Sequence, residues 1–370
     1  MNKLLTFAKS IEDFRLNRKK LHPSENIVFI TVLALICDST DWEEISDFGE
    51  LRKDYLSEYL DLSNGIPSHD TFNRFFSIFS PEKFQSLFIN WLHELLDIKV
   101  EAGDQIAIDG KSSRGTRTKT TKMLHLLNAY LTNKQCILGQ QKTAEKSNEI
   151  TAIPMLLDVL DLKGAVVTID AMGTQTNIAE KIIEKEADYL LAVKQNQKKL
   201  YEDIESAFLV YKQDDNNHFV THEINGSRVE KRICKVMDDL THLSEASQWK
   251  GLCKIIKVET ETYLKSQDIT RIENRYYITS KDTNPEEYLK ISRNHWAIEN
   301  NLHWSLDVIF QEDNNKKRNN NVAENFSIML KVILKLLKEK QMALEKRISI
   351  KRIRKKAAGS LGYLNEILYF

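Results

Sequence analysis

Two acids sit where short apolar runs end. Asp109 closes Gln105-Ile106-Ala107-Ile108-Asp109, and Asp170 closes Val166-Val167-Thr168-Ile169-Asp170. Gly110 follows the first and admits close backbone approach. If these two strands are neighbours, both carboxylates emerge near one end of a sheet. Ionised carboxylates that close repel each other, and a divalent cation relieves the repulsion. Mg²⁺ prefers oxygen ligands and keeps several waters, so two or three carboxylates with open positions suit it. Two such ions about 3.5–4 Å apart can activate a water and stabilise a leaving oxygen in phosphodiester chemistry. A single strand-end acid more often points into solvent; the recurrence at two strand ends is what points to chemistry.

A third carboxylate is expected from a late helix. Glu299 lies in Arg293-Asn294-His295-Trp296-Ala297-Ile298-Glu299-Asn300-Asn301-Leu302-His303-Trp304-Ser305-Leu306-Asp307. Four-residue spacing puts His295, Glu299 and His303 in one helical row, with Trp296 and Leu302 expected to seat the helix on the sheet. The two histidines could ligate a metal, but phosphate or supporting roles are the preferred expectation. Glu286, Glu287, Asp307 and Glu312 compete with Glu299, and Asp307 ranks second. No G-x-S-x-G elbow, Walker loop, H-E-x-x-H or G-x-G-x-x-G is present.

The elements that must hold these acids follow from periodicity. Residues 1 to about 95 read as helical: Pro23-Ser24-Glu25 opens one helix, Asp41-Trp42-Glu43-Glu44 another, and Gly65–Phe76 forms a turn and a capped helix bearing Arg74. A helix, turn and second helix of this kind can read DNA, although all-helical domains use the same grammar for packing alone. From residue 104 the period becomes strand-like. Strands are predicted at 105–109, 124–131, 136–141, 165–170 and 188–193, with helices at 147–160, 177–186 and 197–211. A β-rich stretch follows, with Asn225-Gly226 as a hairpin turn, and Pro285 starts a further helix.

Length and composition fit this plan. The chain has 370 residues, 42% hydrophobic and 29% charged, which is ordinary for a globular protein of two or three domains. Ile27 to Cys37 is about half of what a membrane span needs, so it is expected to be a buried helix. The N-terminus is too charged for a signal peptide, and four scattered cysteines without a CxxC pair suggest a reducing, cytoplasmic setting. Net charge is zero but segregated: from Lys331 onward there are eleven Lys/Arg and three Asp/Glu. Lys111, Arg114, Arg117, Lys119 and Lys122 form a second basic stretch without an acid. Such blocks can neutralise phosphates, or be solvated helix faces.

At these residues the chain resembles the H-repeat-associated transposases, insertion-sequence enzymes with an Asp-Asp-Glu site. The likeness is carried by AIDGKSSRGT (107–116), EKSNEITAIPMLLDVLDLKGAVVTIDAMGTQ (145–175), YLLAVKQNQ (189–197) and HWAIENNLHWSLDVIFQED (295–313), with GIPSHDTFNRFF (65–76) similar to the family's helical N-terminal part. The resemblance implies an α/β fold: a ribonuclease-H-like catalytic core (104–212 and 284–340) with a β-rich insertion (213–283), preceded by an all-helical N-terminal domain (1–98) and followed by a basic C-terminal tail (341–370). It implies Asp109, Asp170 and Glu299 as catalytic, metal-binding residues for two Mg²⁺ or Mn²⁺ ions. Thr174 stands where the family often has cysteine, and Tyr288 and Arg293 match a wider family signature only at longer spacing.

The expected activity is DNA cleavage at element ends and strand transfer into target DNA. Lys111, Arg114, Arg117, Lys119, Lys122 and Arg74 are the expected DNA contacts, and the segment from Lys331 to Lys356 is expected to add non-specific affinity. The protein would act as a dimer or larger assembly on the nucleoid, without membrane association. The alternatives are a catalytically silent DNA-binding relic or domesticated copy, and a nuclease that joins nothing.

Overall fold

The computed structural model describes residues 2–13, 15–16, 20–117, 123–143, 149–210, 217–318 and 321–368. Six helices come first: α1 (Asn2–Ser10), α2 (Ser24–Ile36), α3 (Trp42–Leu51), α4 (Lys53–Ser57), α5 (His69–Ile78) and α6 (Pro81–Leu96). Their starts follow capping chemistry. The Asp41 carboxylate accepts from Glu44 N at 2.8 Å to open α3, and Ser80 with Pro81 opens α6. The apolar run is indeed a buried helix, α2, covered along nearly its whole length. Around it Trp42 stacks on Phe76, and Phe75, Phe79, Phe84 and Phe88 meet edge-on or tilted.

A single sheet then forms, with strands β1 (Gln105–Ser113), β2 (Leu124–Leu131), β3 (Cys136–Thr143), β4 (Val166–Ile169), β5 (Asp188–Val193), β6 (His218–Asn225), β7 (Arg228–Met237), β8 (Lys254–Leu264) and β9 (Ile269–Thr279). Their spatial order is β3-β2-β1-β4-β5-β9-β8-β7-β6. β1 and β4 run parallel, as do β4 and β5, joined through α7 (Glu149–Val159) and α8 (Thr176–Glu184); α9 (Lys198–Val210) follows β5. β2 and β3 add antiparallel on the other side of β1. The later β-rich stretch prolongs this sheet, because β9 pairs antiparallel with β5. Its hairpin between β6 and β7 turns at Gly226, whose φ of 58° is open to glycine at little steric cost.

The chain closes with α10 (Pro285–Asn294), a π-helical turn (Ile298–His303), α11 (Trp304–Val308), α12 (Val322–Met342), α13 (Ile350–Gly359) and α14 (Leu361–Leu368). α12 packs against α2, α5, α6 and β3, and so joins the helical part to the sheet. Here the expectation of a basic, DNA-facing segment from Lys331 needs correction. Lys331, Lys335 and Lys338 are buried, and the last two donate to Lys134 O at 2.5 Å and Asn301 O at 2.9 Å. Nor do the described residues beyond 341 form a loose tail. Arg354 has no exposed surface, pairs with Asp38 at 2.7 Å and donates to Leu35 O at 2.9 Å. Burial of its guanidinium is tolerable because a carboxylate and several carbonyls replace water. No helix among the described residues is long and apolar enough to cross a membrane.

Candidate metal centre

Asp109 stands in the middle of β1, not at its last position as the apolar run suggested. The antiparallel pairing with β2 continues to Ser113, whereas the parallel pairing with β4 stops at Ile108↔Ile169. Asp109 is therefore the first β1 residue past the parallel ladder, where the sheet opens beside β4. Asp170 directly follows β4 and caps the turn Ala171–Gly173, its Oδ1 accepting from Met172 N at 3.1 Å and Gly173 N at 3.4 Å. Thr174, in the same turn, is buried and donates its hydroxyl to Ala192 O at 2.6 Å, so threonine is accommodated there.

Glu299 comes from the segment that follows α10. The predicted helix is interrupted: Trp304 N–H bonds Glu299 O, five residues back, in a π-helical turn. Turns of this kind recur at functional sites because they re-aim side chains. This one separates the expected row. His295 Nδ1 meets Thr168 Oγ1 at 3.0 Å, while His303 Nδ1 lies 3.5 Å from Asp109 Oδ2. One ligand atom from each of Asp109, Glu299 and His303 falls within 4.8 Å of the others. Leu302 is buried as expected, but Trp296 and Trp304 are 45% and 55% exposed.

The electrostatics suit a cation. Asp109 Oδ2 is buried with no hydrogen-bond partner. Burial first, then the charges of Glu299 and Asp170, push the Asp109 carboxyl up to about 8. That is the cost of gathering acids in a poorly solvated place without counter-charge, and a divalent ion would remove it. The oxygen donors fit Mg²⁺ or Mn²⁺. Burial lowers His295 to about 4 and, with Lys331 and Lys111 nearby, His303 to about 3. Burial thus favours the uncharged form of both imidazoles.

The other expected contacts separate. Lys111 shares the Asp109 face of β1 but is buried, with its ammonium 2.6 Å from Asp307 Oδ1 and 3.2 Å from Glu312 Oε2. Burial alone would lower it, but Glu312, Asp307 and Asp313 outweigh that and hold it charged. Its ammonium is already paired with acids of this chain, and one of them is Asp307, the second-ranked acid. Arg114 is exposed with Asp313 at 3.6 Å, Arg117 is exposed, and Arg74 is exposed on α5. Lys119 and Lys122 lie outside the described residues. Tyr288 is buried and donates to Lys281 O at 2.6 Å, and Arg293 pairs with Glu223. Both are tied into the fold.

Two polar groups escaped the sequence reading. Asn128, directly opposite Asp109 in register, is fully buried and bonded to Lys331. On the other sheet face Ser112 Oγ, His125 and Glu149 form a hydrogen-bonded line, at 2.7 Å and 2.5 Å. A Cβ on Gly110 would collide with Glu149 Oε1 and His125 Nε2, so glycine there makes room for that pair. An asparagine inside an apolar strand and a lysine inside an apolar helix were the signals that could have found the first group.

Two family models match the chain. Residues 102–336 match the family described as Transposase DDE domain, and residues 5–92 match DDE_Tnp_1-associated. YncI of Escherichia coli O157:H7, provisionally named a transposase, is 40% identical over 99% of this chain and 94% of its own length. YhhI of Escherichia coli K12, named H repeat-associated and provisionally a transposase, is 38% identical over 100% of this chain and 98% of its own. YbfQ of the same strain, named an inactive transposase, is 39% identical over 20% of this chain and 88% of its own.

Proposed function

Because the chain belongs to the DDE transposase family, we propose that it cuts DNA at the ends of an insertion sequence and joins the freed 3′ end to target DNA. Asp109, Asp170 and Glu299 are its catalytic carboxylates in this reading. The observation that carries it is the buried, unpartnered Oδ2 of Asp109, facing Glu299 within reach of a shared cation. The strand order β3-β2-β1-β4-β5, with β1, β4 and β5 parallel, supports a ribonuclease-H-like core.

Mg²⁺ or Mn²⁺, as two ions, would supply an activated water and a stabilised leaving oxygen. Asp109 and Glu299 would hold such ions, and Asp170 would complete the negative set. Asp170 keeps its orientation through the two backbone N–H groups of its own turn. The exposed ring of Trp304 offers a face on which an unpaired base can stack, whereas the Arg275 guanidinium already lies over the Trp296 ring, 5.1 Å from its centroid. Phosphate binding falls to Arg114, Arg117, Arg74 and the exposed cations Lys346, Arg347, Lys351, Arg352, Lys355 and Lys356 around α13. Synapsis of two ends calls for at least two copies.

The test supplies purified protein with Mg²⁺, a labelled duplex carrying the element end, and a target plasmid. Joined product in the wild type, absent in Asp109→Ala, is the expected result. Cleavage without joining identifies a nuclease, and end binding with neither identifies a silent relic.

A further inference from the structure

His303 stands close enough to Asp109 and Glu299 to be taken for a third metal ligand. The hydrogen bonds behind it argue otherwise. Asp109, Asn128 and Gln140 form a row across β1, β2 and β3, since Asp109 pairs with Asn128 and Asn128 with Gln140. Residues directly opposite in a sheet share a face. Lys331 of α12 inserts its ammonium under this row, donating to Asn128 Oδ1 at 2.5 Å and Gln140 Oε1 at 2.6 Å. Lys331, Asn128, Gln140 and His303 are all buried, so water does not exchange for these partners.

A lysine ammonium only donates. It therefore fixes which end of the Asn128 amide faces it: the carbonyl turns to Lys331 and the NH₂ turns away. That NH₂ reaches Leu126 O at 3.1 Å and His303 Nε2 at 3.4 Å. An NH₂ cannot accept, so Nε2 must present its lone pair, and the single proton of the neutral ring sits on Nδ1. Nδ1 is the atom 3.5 Å from the otherwise unpartnered Asp109 Oδ2. A metal-ligating imidazole has the opposite arrangement, with its far nitrogen donating to a carboxylate or carbonyl.

We propose that Lys331, Asn128 and His303 form a buried relay that presents an N–H to Asp109, making His303 a positioning residue and not a metal ligand. One lone pair of Oδ2 takes this N–H and the other is left for the cation, so the carboxylate is held in one orientation. This inference rests on the reading of Asp109 as a ligand in the proposed metal centre. The protonated nitrogen can be measured without metal or DNA, so failure of the relay and failure of the catalytic reading are separable.

The experiment is long-range ¹H–¹⁵N correlation of histidine side chains in the full chain, metal-free and with saturating Mg²⁺. Nine histidines are present, and the His303 signal is the one that disappears in His303→Gln, or in His303→Asn should the first variant not fold. The expected spectrum shows His303 protonated on Nδ1 in both conditions. Asn128→Asp replaces the NH₂ by a carboxylate oxygen, still pairs with Lys331, and should move the proton to Nε2. The bared Nδ1 should then raise affinity for Co²⁺ relative to Mg²⁺ at least about tenfold, since imidazole favours the softer ion. A wild-type ring protonated on Nε2, or one that loses its Nδ1 proton when Mg²⁺ is added, overturns the proposal. The wild-type spectrum decides alone if Asn128→Asp does not fold.

Discussion

Lys111 Nζ lies 2.6 Å from Asp307 Oδ1, two residues along β1 from Asp109 and on the same sheet face. Glu312 and Asp313 complete an acidic pocket around the same ammonium. The most basic-looking residue beside the candidate metal centre is thus spent on binding the segment after α11 to β1.

DNA binding should reflect that division. Neutralising Lys351, Arg352, Lys355 and Lys356 together should reduce the slope of log K against log salt by about 3 to 4, at roughly 0.9 for each phosphate no longer neutralised. Lys111→Ala should leave the slope unchanged while lowering stability. Titration of a labelled duplex by fluorescence anisotropy at several salt concentrations measures the slopes, and chemical denaturation measures the stability. An unchanged slope in the quadruple variant would remove α13 from the DNA surface.

Arg354 predicts a stability effect far from the centre. Its guanidinium is fully buried against Asp38, Leu35 O and Ile309 O. Arg354→Ala leaves buried carbonyls and the one-third-exposed Asp38 carboxylate without their partner, which should cost about 1.5–3 kcal/mol. Chemical denaturation should show this loss, with the helical N-terminal part and α13 separating first by hydrogen exchange. A change below about 1 kcal/mol would mean that water readily replaces the pair.

Asp109 predicts a pH dependence. The folded chain holds this carboxyl protonated up to about 8, whereas an unperturbed aspartate ionises near 3.8. The folded state therefore keeps a proton that the unfolded state has released, and the contribution falls as pH rises from about 4 to 8. Other buried groups titrate too, so the informative quantity is the difference from Asp109→Asn. In EDTA the variant should melt higher than wild type by a few degrees at pH 8, with the gap closing toward pH 4. Mg²⁺ should stabilise wild type at pH 8 and leave Asp109→Asn unmoved. A gap that does not change with pH would show that Asp109 is not electrostatically strained.

Much of this was readable from residues alone, for physical reasons. Strands and helices around Asp109 and Asp170 followed from apolar period and capping, and the transposase family from long ordered blocks. The π-helical turn at Glu299 was not readable, because one extra residue per turn leaves an amphipathic pattern that still looks α-helical. It sends His295 to Thr168 and His303 to Asp109 instead of keeping one row. Charge runs misled for a related reason. Lys111 and Lys331 look like surface cations in sequence, and only the fold reveals Glu312 and Asp307 beside one and Asn128 and Gln140 beside the other.

The central claim is that Asp109 and Glu299 share a divalent cation. Electron paramagnetic resonance of free Mn²⁺, titrated into the full chain, tests it most directly. Wild type should remove Mn²⁺ from solution, and Asp109→Ala and Glu299→Gln should each weaken that binding at least about tenfold while remaining folded by circular dichroism. Folded variants that bind Mn²⁺ as tightly as wild type would contradict the account.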